Sequence, residues 1–99
     1  MNDMHRFGLV RFSKKTGKID TSMTALGCAL LQLWALQSTT KTKACVIVDL
    51  VTREVFAEFE GTPGGFPNVR KKPEDFIFEV PDALIDELQR VESKRDNPA

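Results

Sequence analysis

Apolar and polar positions alternate most clearly in the middle of the chain. The segments KACVIVDLV (43–51) and EVFAEF (54–59) read as two strands of a β-hairpin turning across Val51–Glu54. With Val51 opposite Glu54, Leu50 pairs with Val55, Val48 with Ala57 and Val46 with Phe59, and all six are apolar. The other face then carries Cys45, Ile47, Asp49 and Val51 beside Phe56, Glu58 and Glu60. A one-residue slip mixes the two sets, so burial of the first face is expected to fix this register. Thr52-Arg53 makes a poor tight turn, because neither residue favours positive φ.

Around this hairpin the pattern changes period. RFGLVRF (6–12) reads as a short strand, and SKKTGK (13–18) as a polar turn broken at Gly17. Asp20, Thr21 or Ser22 then supplies a helix cap, and the spacing predicts a helix over 21–37. On its wheel Met23, Leu26, Gly27, Leu30, Leu33 and Trp34 share one face, which predicts burial around most of the circumference. Thr24, Cys28, Gln32 and Ala35, small or weakly polar, form the opposite strip. DFIFEV (75–80) alternates as a half-buried strand. Pro81 and Asp82 open a last helix, striped by Leu84, Ile85, Leu88 and Val91, with Lys94 and Arg95 late.

The resulting order is β-α-β-β-β-α. It predicts an α+β fold of two layers: a mixed, mostly antiparallel sheet with two helices packed on it, both on one face. A right-handed crossover through the long helix would set the first two strands parallel. One domain spans 1–99, ordered over about 5–95, with a long loop at 61–75 and a frayed tail at 96–99.

Composition leaves this picture intact. An apolar fraction of 41% with 28% charged residues suits a globular chain, and zero net charge gives no general attraction to nucleic acid or to an anionic membrane. The distribution is uneven: residues 1–45 hold seven Lys/Arg against Asp3 and Asp20, while 46–99 hold seven basic and twelve acidic side chains. Cys28 and Cys45 form no metal or redox motif, which points to a reducing, cytoplasmic setting. The first ten residues lack the apolar core of a signal peptide. No charge falls between Asp20 and Lys41, a span long enough for a bilayer, but eight Ser, Thr and Gln residues interrupt it and favour a buried helix.

Candidate chemistry is sparse. KKTGK sits before the expected helix but fails the phosphate-loop spacing, and Ile19 follows Lys18 where a hydroxyl is required. His5, the single histidine, would have to serve any nucleophile pair. Asp49, Glu58 and Glu60 share a hairpin face, the arrangement from which an acid–base or cation site would be built. GTPGGFPNVRKKP (61–73) sets Phe66 beside Arg70, Lys71 and Lys72, an aromatic-plus-basic cluster suited to nucleic acid.

These observations point first to a small non-enzymatic protein-interaction or adaptor module without cofactor, catalytic residues or metal. Its partner would be another protein or a second copy in a homodimer. Thr24, Cys28, Gln32 and Ala35 on the helix, with Phe66, Arg70, Lys71 and Lys72 in the loop, are the candidate contact residues. A nucleic-acid-binding protein using the basic turn 14–18, Arg6, Arg11 and the 70–72 cluster comes second. An enzyme or metal site at Asp49, Glu58 and Glu60 comes third.

Overall fold

The computed structural model describes residues 5–96, with side chains described over 5–90. Residues 97–99 of the expected frayed tail, and the Val91 side chain of the expected stripe, lie outside the described part. The elements are β1 (Phe7–Ser13), β2 (Ile19–Ala25), α1 (Cys28–Ser38), β3 (Lys43–Asp49), β4 (Glu54–Glu60), β5 (Asn68–Arg70), a 3-10 turn (Pro73–Asp75) and α2 (Asp82–Asp96). An α+β fold with a sheet carrying two helices is what the sequence predicts. The expected order is present, with one strand more.

That strand is β2, in the first third of the expected helix. Thr21, Ser22 and Thr24 are weak helix formers. Gly17, at φ +75°, closes a hairpin in which its N–H donates to Ser13 O at 2.8 Å and Ser13 N–H donates to Lys18 O at 2.9 Å. The returning chain pairs antiparallel with β1, Leu9 opposite Met23 and Val10 opposite Ser22. The helix therefore starts at Cys28 and runs 11 residues.

The sheet order is β2-β1-β3-β4-β5, and every neighbouring pair is antiparallel. A mixed sheet does not form, because the helical crossover joins β2 to β3, which flank β1, rather than joining adjacent strands. The helices also lie on opposite faces instead of one. Leu31 and Ala35 of α1 cluster with Leu9, Cys45, Ile47, Ala57 and Phe59. Ile85 and Leu88 of α2 cluster with Val10, Val46, Val48 and Leu50. The reason is in β3: Cys45, Val46, Ile47 and Val48 are all fully buried, so both sides of the central strand need cover.

The same fact overturns the expected hairpin register. Cys45 pairs with Phe59, Val46 with Glu58 and Ile47 with Ala57, one step away from the alternation argument, and beyond the bulge Val48 pairs with Val55, two steps away. A bulge between Ile47 and Val48 turns Phe56 and Ala57 to the same side. Since both faces of β3 are apolar, burial does not discriminate between registers. In the turn, Asp49 Oδ1 accepts from Val51 N at 2.9 Å and Thr52 N at 3.1 Å, which supports Arg53 at φ +66°.

The expected loop 61–75 contains β5 and the 3-10 turn. Its first glycine is a close-approach residue: a Cβ on Gly61 would sit 1.5 Å from Thr40 O. The expected strand at 75–80 does not form: Asp75 ends the 3-10 turn, and 76–80 has no strand pairing. The segment is held over the α2 side of the sheet by Glu58, a fully buried side chain accepting from Ile77 N at 3.0 Å and Phe78 N at 2.8 Å.

Candidate interaction surface

α1 carries no charge on any side, and only part of it meets the sheet. Leu31 and Ala35 are buried completely, while Trp34 packs at the cluster's edge beneath Arg11, whose guanidinium lies 5.4 Å from the ring centre. The sheet below already holds Phe7 and Phe56, edge-to-face at 5.5 Å, with Phe59 and Leu9. Ala35 lets the helix sit close to that crowded floor. The larger leucines consequently point away: Leu26 is 54% exposed, Leu30 67%, Leu33 54% and Leu36 47%. The expectation that α1 is buried around most of its circumference is therefore corrected.

Spacing at 30, 33 and 36 joins these side chains into one stripe along the outer face of α1, with Leu26 just before the helix start. At its N-terminal end a groove of about 380 Å³ is lined by residues including Ala25, Leu26, Gly27, Ala29 and Leu30. Nothing lies within 4 Å of the place a Cβ on Gly27 would occupy.

The expected contact strip lies elsewhere. Ala35 is buried against the sheet, and Cys28 and Gln32 are half-buried, with Gln32 Nε2 donating to Cys28 Sγ at 3.4 Å. Thr24 is in β2, where its Oγ1 lies 3.0 Å from His5 Nδ1. Both cysteines are free; burial pushes the Cys45 thiol up, partly offset by Thr39, whose hydroxyl donates to Cys45 Sγ at 3.1 Å.

In the loop, Phe66 is 87% exposed, and Lys71 and Lys72 are exposed beyond it. Arg70 is turned inward, pairing with Glu58 and Glu60 and stacking 5.9 Å from the Phe78 ring centre. The Phe66–Arg70–Lys72 cluster is thus divided. Other cations named for nucleic acid are also engaged: Arg6 with Asp49, Arg11 with Asp20, and Lys14 with Glu60 at 3.1 Å and Gly61 O at 2.8 Å.

Those ion pairs also account for the carboxylates. Glu60 is held below its usual range by Arg70 and then Lys14. For Asp49, burial raises the carboxyl, but Arg6 and the turn N–H groups outweigh it and the net shift is downward. Asp49 faces the turn, whereas Glu58 sits inside the α2 face, so the three do not converge on one point. Among the described residues no group of three or more His, Cys, Asp or Glu is placed to hold a metal ion, and no helix is long and apolar enough to cross a membrane. A cleft of about 290 Å³ between β1 and α2 is lined mainly by Val10, Phe12, Ile19, Phe78, Val80 and Leu84, without a convergent set of polar groups.

Comparison with known proteins finds no matching family, no matching curated protein and no matching solved structure.

The leucine stripe is the candidate feature that the sequence pattern does not reveal. Its signal was visible in the absence of charge from 21 to 40. The wheel could not say which apolar side faces the sheet, because every side qualifies.

Proposed function

We propose that this chain is a protein-interaction module that docks an apolar partner surface on the outer face of α1. The observation that carries the reading is the exposure of Leu30, Leu33 and Leu36 along one short helix, with Leu26 just before it. A contiguous apolar patch on an otherwise charged domain marks an interaction site. Fully burying a leucine contributes about 1.5–3 kcal/mol, so covering four exposed ones is a substantial driving force. The partner is recognised by shape and apolarity, since α1 carries no charged side chain. The nucleic-acid reading has less support, because Arg6, Arg11, Lys14 and Arg70 are each paired with a carboxylate.

A photo-reactive leucine analogue at position 30 tests the proposal in the native lysate. A discrete cross-linked protein adduct, to self or to another chain, is expected, and Leu33→Glu should abolish it. A protein that remains uncross-linked, or an adduct indifferent to Leu33→Glu, would refute it.

A further inference from the structure

We infer that the cleft on the α2 side is a binding site for a small, uncharged aromatic molecule of one or two rings. It is separate from the outer face of α1, and its occupant is a free ligand rather than a protein.

The cleft lies where the segment 76–80 runs into α2, above β1. Val10 and Phe12 form its floor. Phe78 and Val80 wall it on one side and Leu84 on the other, and Ile19, 48% exposed, stands at its mouth. Ile19 lies opposite Phe12 in the pairing of β2 with β1, so the hairpin carries one flank of the site and segment 76–80 the other. The volume of about 290 Å³ is at the small end for ligand pockets and matches the liquid volume of about ten waters. A molecule of one or two rings fits that space, whereas a helix is too wide for it.

The cleft is held open. A loose segment would settle onto β1 and close an apolar gap, because unfilled walls forfeit dispersion contacts. Segment 76–80 is fastened instead. Glu58, fully buried, accepts from Ile77 N at 3.0 Å and Phe78 N at 2.8 Å. Arg70 pairs with Glu58 and also lies over the Phe78 ring, 5.9 Å from its centre. A buried carboxylate is tolerated only where it is paired and hydrogen-bonded, so this arrangement fixes Phe78 in place. The site is preformed, as small-molecule sites usually are.

Charge and ring geometry select the ligand. Glu79 is the one charged residue on the lining, and it is exposed, while Phe78 and Val80 on either side of it pack into the α2-side cluster. No charged side chain stands among the apolar walls, so an ionic ligand would leave water without gaining a partner. Phe12 and Phe78 meet edge-to-face, 5.2 Å between centres and 78° between planes. They offer a ring face and a ring edge to the same space. An aromatic ligand gains from both beyond the burial of its area, whereas an aliphatic one gains burial alone.

An amide-resolved NMR titration of the full chain with indole tests this, with cyclohexanol and benzoate as controls. Indole is expected to bind saturably, with a Kd of about a millimolar or tighter for so small a ligand. The amides of Gly17, Ile19, Phe78, Val80 and Leu84 should shift, while those of Leu30 and Leu33 stay. Cyclohexanol, and benzoate for its charge, should bind about tenfold more weakly. Val80→Phe fills the cleft and Ile19→Trp closes its mouth from an exposed position, and each should abolish the saturable shifts. Ile19→Trp decides the matter should Val80→Phe fail to fold. The assignment is overturned by an absence of saturable shifts, or by shifts centred on α1. It is equally overturned by benzoate or cyclohexanol binding as tightly as indole, or by indole binding unchanged in folded Ile19→Trp.

Discussion

The two faces of the sheet are covered by helices of opposite character. α2 is finished on its outside: Ile85 and Leu88 are buried, while Asp82, Asp86, Glu87 and Arg90 face water. It is also tethered, since Arg53 pairs with Asp86 at 2.9 Å and donates to Gln89 Oε1 at 3.3 Å. α1 has no such rim. It buries Leu31 and Ala35 and presents leucines outward, with no charge in its first or last turn. The outside of α2 thus satisfies the needs of folding alone, whereas the outside of α1 carries apolar surface beyond what the monomer core uses. That excess is where a docking partner is to be sought.

The largest expected effects test whether both helices are equally part of the core. Leu31→Ala and Leu88→Ala should each cost about 2–5 kcal/mol in denaturant titrations, because each side chain is almost wholly buried. A cost well below ~1 kcal/mol at Leu31 would mean that α1 is not anchored, and the contrast between the faces would collapse into a loose helix.

Next comes the polar fastening on the α2 side. Glu58→Ala removes the acceptor of two backbone N–H groups and one partner of Arg70. Each buried donor left unsatisfied costs about 1–3 kcal/mol, so a loss of roughly 3 kcal/mol is expected. Glu58→Gln retains one acceptor oxygen and should lose less. Equal losses for the two variants would show that packing, rather than acceptance from Ile77 and Phe78, holds segment 76–80.

The contrast between faces was only partly legible in the sequence. The hairpin was visible in the alternation of 43–59, but its register was not. Cys45 and Ile47 on one side balance Val46 and Val48 on the other, and the bulge at Phe56 leaves no mark in a period-2 pattern. Glu58 read as a solvent-facing strand residue because its acceptor role depends on N–H groups 19 and 20 residues away. The onset of α1 was misplaced because Thr21–Thr24 suits either a strand or a capped helix start, and the hairpin at Gly17 decides between them. The uncharged stretch that marks the candidate site was plain. Its outward side was not, since large leucines were assumed to point inward.

A smaller effect separates neighbours on one helix. Leu30→Ala should change monomer stability by no more than about 0.5 kcal/mol, beside the several expected for Leu31, since Leu30 is 67% exposed. Denaturant titrations of the two variants side by side make the measurement. A loss at Leu30 matching that at Leu31 would place both in the core and remove the basis of the leucine stripe.

The smallest effect concerns an electrostatic support near α1. Asp20 Oδ1 accepts from Arg11 Nε at 2.9 Å, and Asp20 also pairs with Lys43, while Arg11 in turn lies over Trp34. Hydrogen bonds from Lys43 and then Arg11 hold the Asp20 carboxyl at about 2, below its ordinary 3.8. A lowered folded value means that folding favours the ionised form. The contribution is complete above about pH 3.8 and is lost as pH falls towards 2. Asp20→Asn should therefore melt below wild type at neutral pH, and the gap should close between those two values. The gap will be modest and will shrink with salt, because the Asp20 side chain is 32% exposed. Glu60 and Asp49, also shifted down, remain in both proteins and cancel from the comparison. Melting curves at neutral pH, near pH 4 and near pH 2 decide it. A gap that persists at the lowest pH would assign the loss to packing around Arg11 and Trp34, leaving the α1 side without this electrostatic support.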